Sequence, residues 1–201
     1  MLLDFAILGE KGKKENFGMS AKELSKRYTT ERDEDTALAS RISEYTMSKI
    51  DLTIEMIRRA ITHKVKFRYI LADSWFTCAK IIKFVRSRHI KCDYIGMIKI
   101  GEASKTRYHF ERKDLTAPAI IKLLDKRGEK KYSRKLKCWY MSADVIFADT
   151  SVRLFFIRRS KRGPWSGLLC TDLRLGFFEA YKIYSRRWSL EVVFKESKGL
   201  L

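Results

Sequence analysis

The sequence predicts an α/β fold in which helices pack on a mixed sheet. In the first half of the chain, short apolar runs typical of strands alternate with longer segments whose apolar residues recur at helical spacing. With 45% hydrophobic residues among 201, the chain can build a core. No stretch approaches the ~20 consecutive apolar residues of a membrane span. We therefore expect a soluble, intracellular protein with no membrane contact.

The first predicted elements are a strand and a helix, separated by a long charged segment. Leu2–Leu8 has the composition of a short strand. Residues 9–47 are highly charged and contain no alternating apolar run, which predicts a surface excursion. A helix is predicted from about Ser48 to Val65, because its isoleucines recur at spacings of four, three and four residues. These isoleucines are Ile50, Ile54, Ile57 and Ile61.

Two further strands and a helix follow. Tyr69–Ala72 is a short apolar strand that ends at Asp73, and Tyr94–Ile98 is the next strand. Between them, apolar residues at helical spacing predict a helix from about Thr77 to Arg88. The order strand, helix, strand, helix, strand indicates helices packed on a sheet.

Residues 101–170 differ in character and are predicted to form a β-rich insertion within a single domain, 1–201. The insertion has one short helical piece near Pro118–Asp125 and basic loops such as Arg158–Arg162. Its strand-like runs are TRYHF, KLKCWYM, DVIFA, RLFFI and SGLLC. A last amphipathic helix is predicted from about Gly176 to the C-terminus.

The charge balance predicts a polyanionic partner. Lys and Arg number 43 against 24 Asp and Glu, which gives a formal net charge of +19. Residues 1–50 are neutral overall, so the whole excess lies in residues 51–201. Lys and Arg side chains that neutralise phosphates release condensed counterions, which favours nucleic acid as the partner. The four cysteines and three histidines are scattered without a C-x-x-C pair, so free thiols in a reducing cytoplasm and no zinc site are expected.

Asp73 is the first candidate functional residue. It stands where a buried strand stops, and ligands of open α/β sheets bind outside the carboxyl ends of strands. A carboxylate there is suited to a metal ion or a substrate. The alternative is an N-cap of the following helix, a role for which Ser74 and Thr77 compete. The sequence leaves both interpretations open.

The predicted C-terminal helix presents a second candidate set. Tyr184, Arg187, Glu191 and Lys198 follow one another at spacings of three, four and seven residues, which places them on one helical face. Arg and Lys clamp phosphates, Tyr donates to a phosphate oxygen, and Glu binds a hard cation. The alternative is a solvated face with ordinary ion pairs such as Arg187–Glu191.

The segment YSRRWSLEVVFKESKGLL resembles the Y-x2-R-x3-E-x6-K signature of insertion-sequence DDE transposases of the IS-four type. All four signature positions match at the family's spacing. Three further stretches are similar to the family: LLDFAILGEKGKK, YILADSWFT and SGLLCTDL. The resemblance extends over nearly the whole chain and implies a transposase that cleaves and joins DNA at transposon ends. It also implies a bacterial cytoplasmic protein that associates with the nucleoid.

The resemblance also implies the fold and the site. Such enzymes have an RNase H-like core in which two aspartates and a glutamate hold two divalent ions, Mg²⁺ or Mn²⁺. By motif match, Asp73 is the second carboxylate and Glu191 the third, while Tyr184, Arg187 and Lys198 hold the DNA backbone. The implied partner is DNA, both at the transposon ends and at the target. The resemblance is also compatible with a homodimer that forms on this DNA. Trp139 or Trp165 either stacks on an extruded base or packs in the protein; the sequence does not decide.

The first catalytic aspartate has no clear match. Asp4 lies in the first predicted strand, but the family places two more strands and a helix before the strand of the second aspartate. Residues 5–68 offer one charged segment and one helix. We therefore expect a partial core with its first two strands upstream, truncated at both ends and inactive by itself. Rival interpretations are a non-catalytic nucleic-acid-binding module, a decayed copy and a nuclease outside transposition.

Overall fold

The chain divides into two compact units, Met1–Lys66 and Phe67–Leu201. The structure, a computed structural model, describes residues 47–87, 90–101, 104–189 and 191–192, together with Lys22, Asp33, Thr36, Ala39 and Glu44. The predicted strand Leu2–Leu8 and most of the charged segment 9–47 lie outside these residues.

In the first unit, helix α1 spans Lys49–Thr62 and confirms the helix predicted from isoleucine spacing. The helix begins after Ser48, whose hydroxyl accepts a 3.1 Å hydrogen bond from the Asp51 N–H, the bond expected of an N-cap serine. The Arg59 guanidinium forms an ion pair with the buried carboxylate of Glu44. This pair links the helix to the charged segment before it.

The second unit is built on a mixed sheet, which confirms the α/β prediction. The eight described strands are β1 Tyr69–Ala72, β2 Asp93–Ile98, β3 Arg107–Phe110, β4 Lys113–Thr116, β5 Lys131–Ser133, β6 Cys138–Phe147, β7 Thr150–Arg158 and β8 Ser166–Cys170. Their order in the sheet is β1-β2-β8-β7-β6-β3-β4, with β5 paired to β6. Strands β1 and β2 are parallel, and the other described pairs are antiparallel.

Strand β6 joins two runs that the sequence suggested were separate. The CWYM of KLKCWYM and the DVIF of DVIFA belong to one strand, Cys138–Phe147, in which Ser142 and Ala143 join the two runs. Asp144 faces Arg153 across the β6–β7 pair and accepts hydrogen bonds of 2.6 and 2.8 Å from its guanidinium. A cross-strand ion pair of this kind lets a carboxylate sit within a strand.

Three described helices accompany the sheet. Two are shorter than the segments predicted for them, and the third agrees with its predicted segment to within one residue at each end. Helix α2 spans Ala79–Val85, α3 spans Ala117–Lys126 and α4 spans Phe177–Ser185. Ile81, Ile82 and Val85 give α2 a fully buried face. None of the described helices is long and apolar enough to cross a membrane.

Helix α4 is fixed to the sheet by an aromatic core. Phe177 stacks on Tyr140 of β6 with ring centroids 4.2 Å apart and also meets Phe155 of β7 at 5.9 Å. Ala180 is fully buried in the same cluster, and Tyr184 lies at its edge. Burial of aromatic rings supplies much of the packing energy of such a contact. The packing therefore sets where the end of α4 points.

Candidate functional site

Asp73 lies at the carboxyl end of β1, in a tight turn before α2. The Phe76 N–H donates to the Asp73 carbonyl at 3.2 Å, and the Trp75 N–H donates to the Asp73 carboxylate at 2.8 Å. The carboxylate thus caps this turn and not the helix, since the N-cap of α2 is Cys78. The interpretation of Asp73 as the N-cap of α2 is therefore wrong, because Asp73 caps the turn that precedes the helix. Only one of its two oxygens has a hydrogen-bond donor among the residues that the structure describes.

The chain beside Asp73 approaches β2 closely at Gly96, which is paired with Ala72. A Cβ at Gly96 would lie 2.5 Å from the Thr77 hydroxyl and 2.6 Å from the Tyr94 hydroxyl. These two hydroxyls are hydrogen bonded at 3.0 Å. Burial raises the pKa of Tyr94, with the nearby negative charge of Asp73 a smaller cause, so the phenol stays protonated. A glycine inside an apolar strand, a signal of close backbone approach, was the sequence clue to this contact.

The end of α4 supplies the other candidate residues. The start of the predicted C-terminal helix at Gly176 is confirmed, but the helix is interrupted, because α4 ends at Ser185. Its predicted end, residues 193–201, lies outside the described residues. The N–H groups of Arg186 and Arg187 bond to carbonyls three residues back, at 3.2 and 3.0 Å, which is a tighter turn than an α-helix. Helical conformation resumes at Trp188. Arg187 therefore lies in a bend, between Tyr184 on the helix and Glu191 beyond it.

Arg187 contacts both of its signature neighbours. Its guanidinium donates to Glu191 at 2.6 Å, which is the ion pair that the sequence offered as the alternative to a functional face. It also lies 5.7 Å from the centre of the Tyr184 ring. The Tyr184 hydroxyl and the Arg187 Nε are both buried, and neither makes a hydrogen bond of good geometry with a described residue. The Arg187 guanidinium is nevertheless close enough to the Tyr184 hydroxyl to lower its pKa, so the two groups interact with each other.

The negative charges of both candidate carboxylates act on the Tyr184 hydroxyl. Burial is the main cause that raises the pKa of Tyr184, and Arg187 acts in the opposite direction. Both Asp73 and Glu191 add to the rise, so both carboxylates are close enough to this hydroxyl for their charges to act on it. Asp73 reaches it from the end of β1 and Glu191 from the segment after α4. The phenol remains a neutral donor at physiological pH.

Two of the predicted residues, Lys198 and Asp4, lie outside the described residues. Within the described ranges, no group of three or more His, Cys, Asp and Glu side chains is arranged to hold a metal ion. Asp73 and Glu191 are the described carboxylates whose charges act on Tyr184. Trp139 and Trp165, the two stacking candidates, are both partly buried.

A cleft of about 460 Å³ adjoins the signature residues. Its floor is formed by β2, β7 and β8, and its rim by the end of α4, including Tyr184, Arg187 and Trp188. Arg159 reaches across the rim and donates to the Tyr181 hydroxyl at 3.0 Å. The cleft therefore has an apolar floor and a rim with two guanidinium groups.

A larger cleft, of about 570 Å³, lies at the opposite end of the strands. Its buried carboxylate, Asp172, accepts hydrogen bonds from Arg174 at 2.9 Å and from the Tyr69 hydroxyl at 3.0 Å. Arg174 is the main cause that lowers the pKa of Asp172 to about 2. Because its acids are already paired with arginine or lysine side chains, this cluster is suited to holding β1 and β8 together. We therefore place the candidate site at Asp73.

Comparison with protein-family models, curated protein sequences and solved structures returned no match to this chain.

Proposed function

We propose that this chain is part of the catalytic core of a DNA transposase, which cuts and joins phosphodiester bonds at transposon ends with the help of divalent metal ions. The observation that supports it best is the contact of three signature residues at the end of α4, where the Arg187 guanidinium donates to Glu191 at 2.6 Å and lies 5.7 Å from the centre of the Tyr184 ring. Asp73, 118 residues before Glu191, lies at the carboxyl end of β1, and its negative charge is a minor cause of the raised pKa of Tyr184. A carboxylate at a strand's carboxyl end is what the proposed chemistry needs.

The donor set at this end of the sheet fits Mg²⁺ or Mn²⁺. Both candidate ligands are carboxylates, the hard oxygen donors that these ions take in proteins. Each has one oxygen occupied, in Asp73 by the Trp75 N–H and in Glu191 by Arg187. The second oxygen of each has no hydrogen-bond donor among the described residues. When bound, a pair of metal ions supplies activation of the attacking hydroxyl and charge stabilisation at phosphorus.

The remaining signature residues are suited to the DNA backbone. Tyr184 keeps its proton because its pKa is raised, so its hydroxyl is a donor for a phosphate oxygen. The Arg187 guanidinium lies beside the Tyr184 ring, and guanidinium groups bind phosphate oxygens in pairs. Near Asp73, the Lys99 ammonium lies 4.5 Å from the Trp75 ring centre, which adds a cation to this surface. We propose Lys198 as a further backbone contact, from the signature spacing.

The sheet is compatible with an RNase H-like core, which we propose as its fold. Two adjacent parallel strands, β1 and β2, stand beside a helix, and the candidate carboxylate follows the first of them. The antiparallel strands β3–β8 then form the β-rich segment between Asp73 and Glu191. This is the place where the resembled family has its insertion.

The proposal is tested by metal binding and by metal-dependent cleavage. We expect Mn²⁺ titration of the purified chain to show a site that Asp73→Asn or Glu191→Gln each weakens at least tenfold. Asp114→Asn, which changes an exposed carboxylate on β4, is the control. Cleavage of DNA bearing transposon ends is assayed in parallel. Metal affinity equal in all three variants would overturn the proposed role of Asp73 and Glu191.

DNA binding is tested separately through its dependence on salt. The excess of positive charge in residues 51–201 predicts affinity that falls steeply between low and moderate salt. Reversing Arg187 and Lys198 to Glu is expected to weaken binding and to flatten this dependence. The matched control reverses Lys105 and Lys113 to Glu, near the β3–β4 edge of the sheet farthest from β1. Affinity that stays flat with salt contradicts the electrostatic part of the proposal.

A non-catalytic nucleic-acid-binding module is the second candidate function. The net charge of +19 favours nucleic acid whether or not the chain performs catalysis. Such a module needs no divalent ion at Asp73 and Glu191. Salt-sensitive DNA binding together with unchanged metal affinity in the Asp73 and Glu191 variants would favour it over the transposase.

A further inference from the structure

Four side chains form a row across the sheet at the end of β7. Tyr132 of β5 is paired with Trp139 of β6, and Trp139 is paired with Arg158 of β7. Directly paired residues of neighbouring strands project from the same face, so these three side chains lie side by side. The Arg158 guanidinium in turn lies 4.5 Å from the ring centre of Trp165. We name Tyr132, Trp139, Arg158 and Trp165 the aromatic stripe.

The aromatic stripe begins where the buried core of this face ends. The next residues along the same face, Met141 and Phe156, are paired with each other and fully buried. Tyr132, by contrast, is 50% exposed, and Trp139 and Trp165 are partly exposed. The Tyr132 and Trp139 rings are 5.0 Å apart at an interplanar angle of 58°. Aromatic area therefore remains accessible beyond the core.

Both segments that flank the aromatic stripe are basic. The segment 130–137 carries five Lys and Arg residues and no carboxylate, and the segment 158–162 carries four and none. The Lys130 ammonium lies 5.8 Å from the Trp139 ring centre and also forms an ion pair with Asp125 at 2.9 Å, so the other cations of the two segments carry most of the available charge. Arg158 has a buried Nε without a partner among the described residues. A sheet surface that alternates aromatic rings with cations is the arrangement by which proteins hold unpaired nucleic-acid strands.

The direction of the strands relates the aromatic stripe to the candidate site. Strand β8 is antiparallel to both β2 and β7, so β7 runs in the same direction as β1 and β2. The carboxyl end of β7, at Arg158, therefore lies at the same end of the strands as Asp73. The aromatic stripe is on the face of the sheet away from α4, because Tyr140, the neighbour of Trp139 in β6, packs on Phe177 of α4 and successive residues of a strand face opposite sides.

We propose that the aromatic stripe binds a single-stranded segment of nucleic acid. Bases stack on Tyr132 and Trp139, because every base offers a π-face to an aromatic ring. The surrounding lysines and arginines contact the phosphates, which accounts for the absence of carboxylates in the two flanking segments. The inference rests on the proposed function only in requiring a nucleic acid, and it gives the β-rich segment a binding role of its own.

The test is fluorescence anisotropy with a labelled oligothymidylate and a labelled duplex, in EDTA, so that Asp73 and Glu191 do not enter through metal. We expect Tyr132→Ala and Trp139→Leu each to weaken binding of the single strand at least about fivefold. Tyr132→Phe keeps the ring and is expected to bind as the wild type does. Ile146→Ala, an exposed apolar residue towards the other end of β6, is the matched control. Thermal unfolding confirms that each variant is folded.

Each outcome bears on a different claim. Unchanged affinity in Tyr132→Ala and in folded Trp139→Leu overturns the inference and leaves the proposed function standing. Equal losses in Ile146→Ala, or equal losses for duplex and single strand, also overturn it, because the effect is then not stacking of unpaired bases. If the wild-type chain binds neither DNA at low salt, the inference and the proposed function fail together.

Discussion

The Arg187 guanidinium donates a 2.6 Å hydrogen bond to Glu191 from inside a bend of the chain, where α4 has already ended. The Arg187 side chain is 20% exposed and that of Glu191 is 42% exposed, so the pair sits at the boundary of the protein. A charge-assisted bond between a partly buried arginine and a carboxylate fixes the direction of the carboxylate. Arg187 thereby determines where Glu191 presents its second oxygen.

The first prediction concerns this orienting role. We expect Arg187→Ala to weaken Mn²⁺ affinity by about 10–100-fold, the range typical of residues that hold a metal ligand in place. Arg187→Lys is expected to fall between the wild type and Arg187→Ala, because Lys keeps the charge and loses the planar fork. Mn²⁺ titration measures the effect. Wild-type affinity in Arg187→Ala would show that Glu191 does not depend on this bond.

The second prediction concerns Gly96, opposite Ala72 at the base of the Asp73 turn. An added methyl group would meet the Thr77 and Tyr94 hydroxyls at 2.5 and 2.6 Å, well inside contact distance. Because the Tyr94 ring is fully buried and cannot move away, Gly96→Ala is expected to lower the free energy of unfolding by about 1–3 kcal/mol. Urea denaturation measures this change.

Gly101→Ala is the control for Gly96→Ala. A Cβ at Gly101 has no heavy atom within 4 Å, so the substitution meets open space. We expect it to be neutral or slightly stabilising, since alanine restricts the unfolded chain more than glycine does. Equal destabilisation by the two substitutions would mean that the close approach at Gly96 is not the cause.

The strands of the sheet that are rich in apolar residues were predictable from the sequence. Tyr69–Ala72 and Ser166–Cys170 have the predicted bounds because both are short, apolar and flanked by polar residues. Strands β4 and β5 were not predicted, since KDLT and KYS carry too few apolar residues to reveal a buried face. Their pairing depends on neighbouring strands, which a local pattern does not contain.

The sequence spacing predicted which signature residues are neighbours, but it did not predict the bend of the chain after α4. Spacing of three and four residues placed Tyr184, Arg187 and Glu191 together on a helix, and the structure keeps Arg187 and Glu191 in contact although α4 stops at Ser185. Helix periodicity does not report where a bend of this kind interrupts a helix. Tyr94 was not predicted as a neighbour of Asp73, because the contact depends on strand register.

The third prediction concerns acid stability. The pKa of Asp172 is lowered to about 2, so its carboxylate binds protons less readily in the folded state than in the unfolded chain. The stabilisation from Asp172 is therefore fully present above the ordinary aspartate pKa and is lost as pH falls through about 4 towards about 2. This corresponds to about 2 kcal/mol, given that the Asp172 side chain is almost completely buried.

Asp172→Asn tests this prediction. We expect the variant to be less stable at neutral pH by about that amount and to lose part of the stability change between pH ~4 and pH ~2. Denaturant unfolding at a series of pH values gives both quantities. Asp114→Asn, on the exposed hairpin β3–β4, is expected to leave the pH profile unchanged. A wild-type profile in Asp172→Asn would contradict the link between this carboxylate and acid unfolding.

The last prediction distinguishes the role of Asp4 from that of Asp73 and Glu191, the two candidate carboxylates whose charges act on Tyr184. An RNase H-like core of the resembled family has its first aspartate on the first strand, followed by two strands and a helix before the strand of the second. Between Asp4 and β1, the sequence has the charged segment 9–47 and helix α1. We therefore expect Asp4→Asn to leave Mn²⁺ affinity unchanged, while Asp73→Asn and Glu191→Gln lower it at least tenfold.

We also expect no DNA cleavage by this chain with Mg²⁺ or Mn²⁺, because phosphoryl transfer needs a third carboxylate to complete the metal pair. A nuclease assay on DNA bearing transposon ends provides the check. Cleavage that disappears in both Asp73→Ala and Asp4→Ala would show that Asp4 completes the site and that Leu2–Leu8 is the first strand of the core.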